Sequence, residues 1–145
     1  MHCDWRLWVS PDTQVEHWVP AHLDDETVLL RTRSADAGEL PTLKFYAAVG
    51  NEWPLWENAP ASPISQASRD FGGPVGPEEY GLSESLSRDL GDWKHEHKLM
   101  IGTGADFPPG PRLDDWYARG DVLAERVAFE AWLLAITRAK HRPES

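Results

Sequence analysis

The chain has 145 residues, 41% of them hydrophobic, eight tryptophans, and a formal net charge of −10 from 24 acidic and 14 basic side chains. A chain of this size hides about 68–70% of its unfolded surface, so one domain, residues 1–145, with one core is expected and wholesale disorder is excluded. The negative charge repels phosphate backbones and anionic lipid, which disfavours nucleic acid and membrane surfaces as partners and permits a basic protein.

Cys3 is the single cysteine. It excludes an internal disulfide and a multi-cysteine metal site, and fits a reducing, cytoplasmic address. No stretch has a signal-peptide layout and no run approaches the roughly 18 apolar residues of a membrane span, so a soluble, unexported chain is expected.

In chain order, residues 5–9, 15–19, 27–33 and 43–49 are short runs rich in β-branched and aromatic side chains. Ser10-Pro11-Asp12, Asp24-Asp25-Glu26 and Asp36-Ala37-Gly38 separate them with turn chemistry. This spacing predicts an antiparallel meander of about four strands over residues 1–50. Trp5, Leu7 and Val9 fall on one face at period two, Arg6 and Trp8 on the other, which predicts a first strand covered on both sides. The adjacent pairs Leu29-Leu30 and Phe45-Tyr46 suggest a sheet with one deep and one partly covered face.

Residues 51–81 read as an irregular connection punctuated by Pro54, Pro60, Pro63, Pro74 and Pro77. Connections longer than about 12–15 residues are uncommon in compact domains and are often functional. This one opens on "NEWPLWENAP", with Trp53 and Trp56 three apart around Pro54, a pattern that suits neither a regular helix nor a central strand. Folded under the loop, each indole buries on the order of 200 Å² and anchors a segment lacking its own hydrogen-bond ladder, the reading favoured for at least one. Offered to solvent beside Glu52 and Glu57, the other becomes an interface anchor, since tryptophan is over-represented among binding hot spots.

Residues 82–100 predict a helix, with Leu82, Leu86, Leu90, Trp93 and His97 in one stripe, Ser83 placed to cap it and Glu84 suited to the first turn. Gly91 within it costs about 1 kcal/mol relative to alanine, which points to a bend or tight packing there. Residues 101–112 are a Gly/Pro-rich loop. Residues 113–141 predict a terminal helix: Asp114 and Asp115 start it, Arg138, Lys140 and His141 end it, and Pro143 follows. Its stripe of Leu123, Val127, Ala131 and Leu134, widened by Val122, Phe129, Leu133 and Ile136, calls for a sheet beneath. Strands first and helices last give an α+β domain, two C-terminal helices packed on one face of the sheet.

The candidate chemistry is sparse. His95 and His97 invite a metal reading, but residues two apart on a helix point about 200° away from each other, so one ion cannot take both rings. Met1, His2, Cys3 and Asp4 offer an amine, an imidazole and a thiol, and a frayed terminus is the plainer reading. The glycine-rich stretches "FGGPVGPEEYG" and "IGTGADFPPG" lack the spacing that cradles phosphate, and no nucleophile elbow or zinc-protease motif is present. Asp24-Asp25-Glu26, Glu78-Glu79 and Asp114-Asp115 read singly as turn or helix-start residues; together they could form an acidic face. No catalytic residue, metal or cofactor is expected.

The succession "PLWENAP", "GLSESLSRDLGDW" and "GDVLAERVAFEAW" resembles small, acidic, tryptophan-rich proteins widespread in actinomycetes, over roughly the last ~95 residues. The resemblance implies a soluble bacterial α+β protein and transfers no catalytic residue.

Three readings of function follow. The first is a non-catalytic protein-binding protein, most concretely an immunity- or antitoxin-like inhibitor of a basic toxin. Its contact candidates are Trp53, Trp56, Glu52, Glu57, Asp24, Asp25 and Glu26. The second is a small-ligand or enzyme domain whose pocket is walled by Trp53, Trp56 and Trp93, with His95 or His97 for proton transfer. The third is a homo-oligomeric subunit that self-associates through its tryptophans.

Overall fold

The structure, a computed structural model, describes residues 3–47, 52–58, 73–100 and 110–142. Most of the expected Pro/Gly-rich connection and of the 101–112 loop, the end of the 43–49 run, and Met1 and His2 lie outside the described residues. Among the described residues no helix is long and apolar enough to cross a membrane.

The fold is α+β. Strands β1 (Trp5–Val9) and β2 (Glu16–Pro20) pair antiparallel as a two-stranded sheet, with Leu7 opposite Trp18. The Ser10 amide donates to Val15 O at 3.0 Å and the Gln14 amide to Ser10 O at 2.8 Å, which closes the hairpin.

Asp24, Asp25 and Glu26, expected to form a turn between strands, instead begin helix α1 (Asp25–Asp36). The Asp24 carboxylate accepts the Thr27 amide at 2.8 Å, and Asp25 and Glu26 occupy the first turn, where the helix dipole favours acids. The expected strand 27–33 is therefore helical. Its buried residues Val28 and Thr32 stand one turn apart on a helical face rather than alternating.

A second, mixed sheet is ordered β5-β4-β3-β6, from β3 (Thr42–Phe45), β4 (Leu55–Asn58), β5 (Gly73–Pro74) and β6 (Ile136–Ala139). Strands β3, β4 and β5 pair antiparallel, while β6 pairs parallel to β3. The four-strand meander is thus replaced by a hairpin, a helix and a mixed sheet. The stretch around Trp56, expected to be irregular, is β4, an interior strand, with Pro54 just ahead of it and Pro74 on the edge strand β5, where a missing N–H is tolerated.

Helices α2 (Glu84–Met100) and α3 (Pro111–Glu130) pack on this sheet. Leu43 and Phe45 of β3 and Leu55 of β4 alternate inward and join Leu86, Leu90 and Trp93 of α2 and Trp116, Leu123 and Val127 of α3 in the main core. The Trp93 and Trp116 indoles stack at 4.0 Å between centroids and 6° between planes. Each donates its ring N–H to the other's backbone carbonyl, at 2.9 and 3.2 Å. This satisfies two buried donors and fixes the register of the two helices.

The terminal helix stops at Glu130, short of the expected 141, and residues 136–139 are strand β6. No glycine or proline breaks it. Arg31 of α1 takes the carbonyls of Trp132 and Ala135 at 2.8 and 3.2 Å, and Ile136 N–H donates to Pro41 O, so tertiary bonds hold the turn that the local pattern does not specify. A smaller core of Trp8, Val19, Val28 and Trp132 joins the hairpin to α1.

Candidate functional site

One face of the hairpin is covered by the small core and the other is covered only near Trp5. Trp8 and Val19 point into the small core, whereas Leu7, Val9 and Trp18 point outward and are 47%, 48% and 66% exposed. The expectation that β1 is covered on both sides holds at Trp5, whose ring lies 5.2 Å from that of Phe129, and fails at Leu7 and Val9. Val15 at the loop is exposed as well. Adjacent outward apolar side chains on a two-stranded sheet form a patch of the kind that marks interaction surfaces, unlike scattered single residues.

One acid shares this face. Glu16 lies directly opposite Val9 on the same face, and Asp4 precedes β1; both are exposed. Arg6 ties the hairpin to the acidic start of α1, its guanidinium donating to Leu23 O at 2.8 Å and to Asp25 at 2.7 Å. Asp24, Asp25 and Glu26 are thus exposed beside the hairpin. Asp24 is held below the ordinary carboxylate range, chiefly by the Thr27 amide bond.

The other contact candidates lie elsewhere. Trp53 is half-buried against the main core, its ring 3.2 Å from where a Cβ on Gly91 would stand, which accounts for glycine at that point of α2. Trp56 is half-buried on the opposite face of β4 from Leu55, paired with Lys44 of β3. Glu52 is exposed at the bend before β4. Glu57 is buried at 2% exposure and accepts the Tyr80 hydroxyl, so it is a core group and not one beside a surface indole.

The expected pocket is not assembled. Trp53 lies over Gly91, Trp56 faces away from the helices, and Trp93 is in the stack. His95 is exposed. His97 stacks on Trp116 at 5.3 Å, and burial, with Lys94, pushes its imidazole below its ordinary value. A cavity of about 500 Å³ does open between α2 and α3 over Trp93, but four of the five charged side chains on its lining are paired across it: Arg119 with Glu96 at 2.6 Å, and Arg126 with Asp89 at 2.6 Å. Burial and the Glu125 carboxylate raise the Cys3 thiol, which reduces its thiolate share. Among the described residues no group of three His, Cys, Asp or Glu side chains could hold a metal ion.

Reasoning from sequence missed Trp18. Its strand was legible, but the side of the strand left uncovered depends on α1 packing against the opposite face. Compared with family models, curated proteins and solved structures, the chain matches none.

Proposed function

We propose that this chain is a non-catalytic binding protein that docks a basic protein on the outward face of its hairpin, in the manner of an immunity- or antitoxin-like inhibitor. The observation that carries this reading is the exposure of Leu7, Val9 and Trp18 on one face. Tryptophan is enriched at the centre of interfaces, and aliphatic neighbours supply area around it. The choice of a basic partner rests on charge: Glu16 stands on the patch beside Val9, and the whole chain carries −10. Such a field speeds encounter with a cation-rich surface and makes binding salt-sensitive.

The test compares wild type with Leu7→Thr/Val9→Thr, which places β-branched, strand-compatible threonine at both positions and removes apolar area. Proteins captured from native extract are identified, purified and titrated calorimetrically at low and high salt. A basic partner is expected to bind wild type more weakly as salt rises, and to lose about tenfold or more in affinity to the folded double variant. Equal affinity for both proteins, or salt-independent binding, rejects the reading. Self-association of wild type that the variant lacks replaces the basic partner with a second copy of the chain.

A further inference from the structure

A second cavity, of about 570 Å³, lies between the hairpin, α1, α3 and β6, lined by Trp5, Trp18, Arg31, Trp132, Ile136 and Thr137 among others. Its size and largely apolar wall suit a small molecule, and the partner-binding reading uses none of it except Trp18.

Arg31 is its unusual member. The guanidinium lies 4.2 Å from the Trp132 ring centroid and donates to the carbonyls of Trp132 and Ala135. Of the five N–H donors of a guanidinium, those two bonds use two. Among the described residues no carboxylate lies within ion-pair distance of Arg31, although Arg6, Arg33, Arg119, Arg126 and Arg142 each have one. Burial pushes Arg31 down to about 10, against the opposing charge of Asp36, so it stays cationic at neutral pH. Arg31 is half-buried, and a cation partly withdrawn from water without an anion is an uncommon arrangement.

Two further polar atoms belong to the same wall. Trp5 Nε1 and Thr137 Oγ1 are buried and have no hydrogen-bond partner among the described residues. Buried polar groups are rarely left unbonded in folded proteins. Groups from β1, α1 and β6 therefore line one apolar cavity with donors to spare: the Trp5 indole N–H, the Thr137 hydroxyl and the remaining N–H groups of Arg31. Exposed Glu125 on the same lining makes a doubly charged group the poorer occupant.

We propose that this cavity binds a small, singly charged organic anion, a carboxylate on a flat apolar body, with Arg31 taking the carboxylate and Trp18, Trp132 and Ile136 flanking the apolar part. The test titrates ¹⁵N-labelled protein with 1-naphthoate and follows the Trp5 indole N–H resonance, assigned with Trp5→Phe. The neutral 1-naphthylmethanol and the more highly charged 1-naphthyl phosphate serve as comparators. A saturable shift with naphthoate is expected, with affinity about tenfold lower for the alcohol. Thr137→Val, which keeps the volume and removes one donor, weakens naphthoate binding by about fivefold. Ala128→Phe, which fills the cavity from α3, abolishes it while leaving capture of a protein partner unchanged. No saturable shift in wild type overturns the proposal, as does undiminished binding by folded Ala128→Phe. Equal affinity for alcohol and carboxylate also overturns it and leaves Arg31 as a tie between α1 and the turn after α3; tighter binding of the phosphate overturns the preference for a single charge.

Discussion

At the level of single residues, two glycines of the helices answer the same pressure, an aromatic ring packed where a Cβ would stand, and differ in how legible it was. Gly91 was legible in sequence as a place of bending or tight packing, and the Trp53 ring supplies the packing. Gly120 carried no such signal, because its neighbours come from α2 and from beyond β6. A Cβ there would stand 2.6 Å from His141 Cδ2 and 2.8 Å from Trp93 Cζ2. His141 is held by Asp121 at 2.8 Å and Trp93 by its stack on Trp116, so neither ring can yield cheaply. Gly120→Ala gains about 1 kcal/mol in helix propensity and loses about 1–3 kcal/mol to overpacking, with steric conflict this severe at the upper end. The expected result is a lower urea midpoint with an unchanged m-value; a raised midpoint would show that the rings move aside.

Between elements, the clearest device is a cap supplied from another helix. Ser83 was legible as the cap of α2, and its Oγ does accept the Leu86 amide at 3.2 Å. The sequence could not show that Glu130, at the end of α3, accepts both the Ser83 amide at 2.5 Å and the Ser83 hydroxyl at 2.9 Å. One carboxylate thus closes α2 and fastens α3 to it, with its charge on the favourable end of the α2 dipole. Glu130→Ala is expected to lower stability by about 1–3 kcal/mol in chemical denaturation. Ser83→Ala, which leaves the amide bond in place, should lose less; the reverse order would mean that the carboxylate does not bridge the helices. Helix α1 shows the opposite failure of legibility. Thr27, Val28, Leu29 and Leu30 look strand-like, yet Asp24, Asp25 and Glu26 ahead of them and Arg33 near the end already carried a helix's charge order.

Across the whole molecule, the class of fold was legible and the sheet order was not. Strand β6 pairs with β3 from 94 residues away (136 − 42 = 94), a distance at which no local pattern acts. The division of the interior was equally hidden: Trp8, Val19, Val28 and Trp132 form one core, while Leu43, Phe45, Trp93, Trp116 and their neighbours form another. Two cores of unequal size need not open together. The hairpin and α1 should exchange amide protons through a low-energy opening that leaves β3, β4, α2 and α3 closed, which hydrogen-exchange mass spectrometry would resolve as an early and a late group of peptides. A single cooperative exchange event would show that the cores act as one. If the early group exists, the outward hairpin face sits on the half that opens first. An occupant of that face would then act as a brake on the motion, registering as slower exchange in β1, β2 and α1 and nowhere else.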